Sequence, residues 1–216
     1  SPLDMGLRLC LDIIEDSVKN MKHWYPINLN AYDIGEHGAA PHEELGYVLG
    51  MAVTYVDGLL ARGLAIDDFA PRLSFSLSAG MDFFESIAKM RALRRMWAKM
   101  MRDRWGAKKE KSMKAMMSVH TAGSSLVAQQ PLNNITRGTI EALAAALGGC
   151  QALDICCYDE PLSLPTEASS RVALATQYII AQEAGVCAVT DPLGGSYYVE
   201  ALTDGIEEKA FALLKE

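Results

Sequence analysis

The sequence predicts an α/β protein with about four βα units of a TIM-type (β/α)8 barrel, which is half of such a barrel. Strand-like and helix-like segments alternate along the whole chain, and this alternation is typical of a parallel sheet with crossover helices. The predicted strands start roughly 40 residues apart, the spacing of barrel units with elaborated loops. Because no linker interrupts this pattern, residues 1–216 are predicted to form a single domain.

The first helix is predicted where apolar residues recur at helical spacing from Leu7 to Val18. Residues 26–32 alternate apolar side chains with asparagines and a tyrosine, which predicts the first strand. Pro41 then opens a second long helix, whose first turn carries two glutamates that suit the helix dipole. Gly63 is expected to end that helix.

The second strand is predicted over residues 72–79. Asp82 and Glu85 have the spacing of a capping box, so a helix is expected to start directly after this strand. The apolar face of that helix continues to Met100. The third strand is predicted over residues 113–120.

The last part of the chain repeats the same alternation. A helix over residues 132–147 ends at two glycines and is followed by a fourth strand over residues 150–156. Thr166 is expected to cap a helix that runs to about Glu183. The final helix is predicted to start near Gly205.

The predicted strands are unusually polar on one face. Residues 73–78 alternate large apolar side chains with serines, and Asn28 and Asn30 occupy the equivalent face of the first strand. Parallel strands are normally apolar on both faces, and buried polar groups need hydrogen-bond partners. Small polar side chains facing inward therefore predict a slender polar molecule along the barrel axis. An antiparallel sheet with one solvated face is the alternative, but the helix after every strand favours the barrel.

Composition limits the class of protein. Half of the residues are hydrophobic, 22% are charged and the formal net charge is −7, which fits a globular domain and excludes a disordered chain. No apolar run approaches the roughly 20 residues needed to cross a bilayer, and no secretory signal is visible, so no membrane partner is expected. Five cysteines without a C-x-x-C pair favour a reducing, cytoplasmic location over a disulfide framework.

Half of all lysines and arginines lie within residues 82–111. A basic helix of this kind can bind nucleic acid, which remains a remote alternative function. Met90, Leu93 and Trp97 form an apolar stripe beneath the charges, and this stripe favours the solvated outer face of a barrel helix. No nucleic-acid partner is therefore predicted.

Functional groups of a barrel lie at the carboxyl ends of its strands. Asp33 follows the first strand and is either a functional carboxylate or a turn residue that bonds its own backbone. His120 ends the third strand and is either an acid, base or donor, or a structural donor. Asp154, Cys156 and Glu160 lie near the end of the fourth strand, but their spacing matches no zinc signature. No metal site is predicted.

Four segments carry motifs that are specific only in combination. They are residues 70–75 (APRLSF), 128–134 (AQQPLNN), 159–166 (which begins with DE and ends with LPT) and 191–200 (DPLGGSYYVE). Together they resemble the large subunit of methylmalonyl-CoA mutase and its acyl-CoA mutase relatives, and the resemblance covers essentially the whole chain.

This resemblance implies an isomerase that uses adenosylcobalamin for a radical carbon-skeleton rearrangement of a short acyl-CoA. It also implies an eight-stranded barrel threaded by the pantetheine arm of CoA, which agrees with the polar strand faces. The chain corresponds to the second half of that barrel, without the first four strands or the cobalt-ligating domain. The expected partners are the acyl-CoA, the remaining half of the barrel and a cobalamin-binding domain or subunit, in an oligomer. Half a barrel leaves two sheet edges open, so this chain alone is not expected to catalyse.

The resemblance also assigns roles to individual residues. The residues expected to bind the CoA portion are His23, Arg72, Ser74 and Ser118. The residues expected to face the corrin or the adenosine are Glu36, Gly123, Gln151 and Glu160. Tyr32 matches the tyrosine beside the substrate and forms, with Asp33 and His120, the predicted catalytic set.

The sequence departs from the family around the expected pocket. The family's Tyr-His is Tyr32-Asp33 here, and an ionised aspartate cannot donate the hydrogen bond that the histidine gives to the thioester carbonyl. Three further departures lie nearby. The family's His-x-Gln is replaced by Ser118-Val119-His120, its His-Thr-Asn by Asp154-Ile155-Cys156, and its Trp by Ser124. They imply either a different acyl group or a non-catalytic structural subunit. The retained Arg72, Ser74, Gln151 and Glu160 favour an active mutase with altered specificity.

Overall fold

The computed structural model describes residues 2–21 and 23–215. Its strands are β1 (Ile27–Asn30), β2 (Leu73–Ala79), β3 (Met116–Thr121) and β4 (Ala152–Asp154). They form one sheet in the order β1-β2-β3-β4, and every neighbouring pair is parallel. The predicted parallel α/β architecture is confirmed. A four-stranded parallel sheet is consistent with part of a barrel, and closure into eight strands remains a prediction.

The helices lie between and after the strands. They are α1 (Pro2–Asn20), α2 (Tyr32–Glu36), α3 (Pro41–Ala61), α4 (Ile66–Phe69), α5 (Phe83–Lys99), α6 (Glu110–Met113), α7 (Asn133–Gly148), α8 (Glu167–Gln182) and α9 (Tyr197–Leu213). A π-helical turn continues α5, and a 3-10 turn (Gly123–Ser125) follows β3. The predicted helices at Pro41 and Thr166 start where expected, and the Thr166 hydroxyl accepts the backbone N–H of Ser169 as an N-cap.

Several predicted boundaries are wrong. The last helix begins at Tyr197 rather than near Gly205. The predicted fourth strand contributes only Ala152–Asp154 to the sheet, and β3 starts at Met116 because the residues before it form α6. Asp82 precedes α5 as expected, but its side chain makes no capping hydrogen bond. The short α2 follows β1 directly, within a segment that was predicted as strand and loop.

One face of the sheet forms the core. Leu29, Phe75, Leu77 and Val119 are completely or almost completely buried, and α3, α5 and α7 contact the sheet. Phe75 meets the Trp97 ring of α5 edge to face, with ring centroids 5.0 Å apart. Burial of each of these side chains stabilises the fold by about 1.5–3 kcal/mol, so the sheet and its helices fold as one layered unit.

Helix α3 is long and apolar enough to qualify, by length and composition, as a membrane-crossing helix. The expectation that no apolar run approaches this length is therefore wrong. In the structure Leu45, Leu49, Val56 and Leu59 of this helix are completely buried in the core. Its apolar character is therefore used in packing within the domain.

The basic face of α5 is paired with acidic residues. Arg91 binds Glu200 with Nη2–Oε1 at 2.5 Å and also contacts Asp191, and its side chain is only 11% exposed. Arg95 binds Asp204 at 2.6 Å. Arg91 is thus an exception to the expected solvated outer face, whereas Lys99 and Arg102 further along are exposed as expected.

The other face of the sheet carries the polar residues of the strands, and we call it the polar face. The row nearest the amino ends contains Asn28, Ser74 and Met116. The middle row contains Asn30, Ser76, Ser118 and Ala152. The row at the carboxyl ends contains Ser78, His120 and Asp154. Both asparagines are exposed, and Ser74, Ser76 and Ser118 are half-buried. The predicted alternation of apolar and polar faces is thus confirmed.

Candidate functional site

The turn after β3 lies against residues from two other strand ends. A Cβ atom placed on Gly123 would lie 3.3 Å from Glu36 Oε2, 3.4 Å from Glu160 Oε1 and 3.5 Å from the Tyr32 hydroxyl. Four residues that the sequence assigned to cofactor or substrate therefore converge at the carboxyl end of the sheet. Any side chain at position 123 would occupy the space between them, so glycine keeps this space open.

Glu36 holds the turn in place. Its two carboxylate oxygens accept hydrogen bonds from the Ser124 backbone N–H at 2.8 Å and the Ser124 hydroxyl at 3.2 Å. Ser125 closes the turn by donating its hydroxyl to Ala122 O at 2.8 Å. The turn that carries Gly123 is therefore fixed to α2.

Tyr32 and Cys156 form the less polar side of this cluster. The Tyr32 hydroxyl lies 3.9 Å from Cys156 Sγ, and the thiol donates to Thr121 O at 3.0 Å. Burial raises the pKa of Tyr32, and the nearby Cys156 and Glu36 raise it further. Burial, assisted by Glu160, raises the pKa of Cys156 to about 12. Both groups therefore stay neutral at physiological pH and act as hydrogen-bonding groups. The sequence places Thr121 at the end of the third strand but assigns it no role, because no motif distinguishes it.

His120 lies between Tyr32 and Asp154. The Tyr32 and His120 ring centroids are 4.9 Å apart at a tilt of 44°. His120 Nδ1 lies 3.3 Å from Asp154 Oδ2, and the two residues are paired in the register of β3 and β4. Two positions at which the sequence departs from the family are thus direct neighbours.

Asp33 is held by local contacts in the first turn of α2. Asn30 Nδ2 donates to Asp33 Oδ2 at 2.7 Å, and the Asp33 backbone N–H donates to Asn30 Oδ1 at 3.4 Å. The side chain remains exposed next to the polar face. The Asp33 carboxylate therefore bonds the Asn30 side chain rather than its own backbone, and it is accessible from the polar face.

A buried ion pair beneath α2 was not recognised from the sequence. Lys89 Nζ lies 2.5 Å from Glu44 Oε2 and 2.8 Å from Ser78 Oγ, and the Ser78 hydroxyl donates to Glu44 at 3.0 Å. The Glu44 side chain is 1% exposed, whereas the sequence assigned it only a favourable interaction with the helix dipole. A Cβ on Gly35 would lie 2.5 Å from Ser78 Oγ, so α2 rests directly on this cluster. The sequence does contain one signal for this ion pair, because Glu44 and Lys89 are charged residues at core positions of α3 and α5.

The residues predicted to bind CoA lie nearer the amino ends of the strands. Arg72 donates from Nη1 to the carbonyls of Ser17 at 2.6 Å and Met21 at 3.0 Å, at the carboxyl end of α1. Ser74 donates to Ile27 O at 3.4 Å, and Ser118 donates to Phe75 O at 3.2 Å. His23 follows α1 and is exposed. Arg72 therefore has a clear structural role as a cap of α1.

Gln151 lies apart from the other predicted cofactor residues. Its Oε1 accepts the Met117 backbone N–H at 2.7 Å, and its Nε2 donates to Gly149 O at 3.1 Å. It precedes β4 at the amino end of the sheet, whereas Glu36, Gly123 and Glu160 meet at the carboxyl end. The structure thus uses Gln151 to join β4 to β3.

Glu141 of α7 is a buried carboxyl group that the sequence analysis did not identify. It is completely buried, and neither carboxyl oxygen has a hydrogen-bond partner among the residues that the structure describes. Burial raises its pKa to about 7, while the nearby Ser125 side chain and Ala122 backbone limit the rise. These neighbours place it beneath the turn that carries Gly123.

Comparison with known proteins identifies the family. The sequence profile of the family described as methylmalonyl-CoA mutase matches residues 1–216. The chain is 46% identical to 2-hydroxyisobutanoyl-CoA mutase large subunit from Aquincola tertiaricarbonis and 42% identical to methylmalonyl-CoA mutase from Escherichia coli (strain K12). Both alignments cover 100% of this chain, but only 38% and 30% of the respective relatives. The chain thus spans about a third of the length of the relatives it matches, and it belongs to the methylmalonyl-CoA mutase family.

Proposed function

We propose that this chain is part of an adenosylcobalamin-dependent acyl-CoA mutase that catalyses a radical carbon-skeleton rearrangement of a short acyl-CoA, with altered substrate specificity. The observation that carries the proposal is the convergence of Tyr32, Glu36 and Glu160 on Gly123 at the carboxyl ends of the strands. Barrel enzymes place their active sites at this end. The remaining strands would pair with the open edges at β1 and β4.

The residues around Gly123 suit a large cofactor with amide side chains. The absent Cβ leaves room for close approach, and the carboxylates of Glu36 and Glu160 flank that room as hydrogen-bond acceptors. Adenosylcobalamin, when bound, supplies the radical chemistry of the rearrangement. The cobalt ligand is expected from a domain outside this chain, and Gln151 has no part in this arrangement.

The polar face suits the pantetheine arm of CoA. Asn28, Asn30 and Ser76 offer amide and hydroxyl groups along the strands, and Ser118 continues this row on β3. An amide-containing chain lying on these residues would exchange hydrogen bonds with them rather than leave polar groups unsatisfied. The thioester would then lie towards the Tyr32 and His120 row, where the polar face ends.

The neutral Tyr32 and Cys156 would shield the reacting carbon atoms without adding charge. Burial keeps both groups protonated, so neither acts as a base near a radical intermediate. Because Asp33 cannot donate to the thioester carbonyl when ionised, the Tyr32 hydroxyl would take over as the side-chain donor at this end. This change of donor is the basis for the proposed altered specificity.

Reconstitution tests the proposal. The full-length subunit containing this chain is combined with its cobalamin-binding domain or subunit and adenosylcobalamin, and isomerisation is followed for several CoA esters. The set includes 2-hydroxyisobutanoyl-CoA and methylmalonyl-CoA, because relatives are named for them. Turnover of any short acyl-CoA that requires the cofactor supports the proposal. Absence of turnover with every ester, in a complex shown to bind the cofactor, would contradict it.

A non-catalytic structural subunit is the second candidate. It is favoured by the departures at Asp33, His120 and Asp154, which all lie at the predicted reaction centre. A structural subunit would assemble with an active partner without binding CoA esters or corrin on its own barrel. Equilibrium binding of either ligand to the reconstituted barrel separates the two candidates.

A further inference from the structure

We propose that His120, positioned by Asp154, selects an acyl group that carries a hydroxyl and no second carboxylate. This inference rests on the proposed function and deepens it, because it names the substrate class of the same site. His120 would accept the hydroxyl hydrogen bond at Nε2. Asp154 would act as a positioning residue that keeps Nε2 free for this role.

The pair is accessible from the polar face. His120 and Asp154 are neighbours in the carboxyl-end row, and their side chains are 37% and 65% exposed. A ligand that follows the polar face to the end of the strands reaches the His120 ring directly. Because strands β3 and β4 carry the pair, its geometry is set by the sheet and not by a mobile loop.

The imidazole ring is constrained on two sides. Nδ1 lies 3.3 Å from Asp154 Oδ2, and the ring packs on Tyr32 at a centroid distance of 4.9 Å. A carboxylate beside Nδ1 favours the tautomer with its proton on Nδ1, which leaves Nε2 as an acceptor in the neutral ring. Among the described residues, Nε2 has no hydrogen-bond partner of its own. A donor on the substrate, such as a hydroxyl, is therefore the complementary group.

The charges around the pair disfavour a dicarboxylic acyl group. The carboxylates of Asp33, Glu36, Asp154 and Glu160 all lie at this end of the sheet, and no Lys or Arg of the described residues forms an ion pair with any of them. A second carboxylate on the acyl group would be repelled by these like charges. A neutral hydroxyl carries no such penalty.

The test measures selectivity as well as rate in the reconstituted full-length complex. Equilibrium dissociation constants and kcat/KM are compared for 2-hydroxyisobutanoyl-CoA, for isobutanoyl-CoA without the hydroxyl, and for methylmalonyl-CoA. The variants are His120→Gln, Asp154→Asn and Asp154→Glu. Asp103→Asn serves as the matched control, because Asp103 is an exposed aspartate in the π-helical turn after α5.

We expect the unmodified complex to bind the hydroxylated ester at least about tenfold more tightly than isobutanoyl-CoA, because an ester without the hydroxyl leaves His120 Nε2 without a donor. His120→Gln and Asp154→Asn should reduce this preference several-fold while the affinity for isobutanoyl-CoA changes little. Asp154→Glu should retain most of it, and Asp103→Asn should leave it unchanged. A general structural defect would weaken binding of all three esters equally and would overturn the positioning role.

The outcomes separate this inference from the proposed function. Turnover of methylmalonyl-CoA or isobutanoyl-CoA in preference to the hydroxylated ester would overturn the inference and leave the mutase function supported. Preferential binding of the hydroxylated ester that depends on His120, without turnover of any ester, would support the inference and contradict the mutase function.

Discussion

The Lys89 ammonium and the Glu44 carboxylate form an almost fully buried ion pair, with Nζ and Oε2 2.5 Å apart and side chains 4% and 1% exposed. The pair joins α5 to α3 and bonds Ser78 at the end of β2. Because α2 rests on this cluster, the pair supports the helix that carries Tyr32 and Glu36. The architecture of the candidate site therefore depends on residues that do not face it.

Lys89→Met is expected to lower the free energy of unfolding by about 3–5 kcal/mol, because it leaves Glu44 as an uncompensated buried charge. The double variant Glu44→Gln/Lys89→Met should recover most of this loss, since no buried charge remains. Urea denaturation of the full-length subunit measures both. Equal losses in the single and double variants would show that the ion pair is not the cause.

Gly123→Val is expected to weaken adenosylcobalamin binding at least about tenfold, because its methyl groups would fill the space between Glu36, Glu160 and Tyr32. Gly123→Ala should have a smaller effect, since its Cβ meets atoms at 3.3 Å and beyond. Absorbance titration of the reconstituted complex with the cofactor measures the affinity. Gly80→Val is the matched control, because a Cβ at Gly80 meets nothing within 4 Å. Unchanged affinity in Gly123→Val would remove this turn from the cofactor site.

Glu141 is expected to make stability depend on pH. Its folded-state pKa of about 7 lies above the ordinary value of 4.5, so the folded state holds the proton more tightly than the unfolded state. The stability associated with the protonated group is complete below about pH 4.5 and is lost as the pH rises through 7. At pH 8, Glu141→Gln should therefore raise the free energy of unfolding by up to about 3 kcal/mol.

Denaturation curves at pH 5 and pH 8 test this expectation for Glu141. Glu141→Gln should reduce the difference in the free energy of unfolding between pH 5 and pH 8. Glu167→Gln, at an exposed position, should leave this difference as in the unmodified protein. The same pH dependence in both variants would assign the titration to another group.

Cys156 is expected to resist alkylation. Its pKa of about 12 leaves almost no thiolate at pH 8, and the thiolate is the reactive form. Cys187 is exposed and should react with iodoacetamide much faster. Mass spectrometry of tryptic peptides after timed alkylation compares the two sites in the native complex. Alkylation of Cys156 at the rate of Cys187 would show that the Tyr32 and Cys156 side of the site is open to water.

Local periodicity was sufficient to predict the order of the four strands and the long helices, and also the polar face, but not the short helices α2, α4 and α6. Leu29 and Phe75 alternate with asparagines and serines at the two-residue period of a strand, and neighbouring residues along the chain determine this period. The lengths of β4 and α9 were wrong because the ends of elements depend on which partner strand or helix is present. Recognition of the family rested on motifs, and comparison with known proteins confirmed it.

By itself, the sequence determined a four-unit parallel α/β chain of the methylmalonyl-CoA mutase family, because hydrophobic periodicity and motifs are properties of contiguous residues. Only the tertiary structure decided which side chains meet. It brought Gly123 to Glu36 and Glu160, paired His120 with Asp154, and separated Gln151 from the other residues predicted to face the cofactor. These contacts join residues far apart in the chain, and strand register and helix packing set them, so no local pattern encodes them.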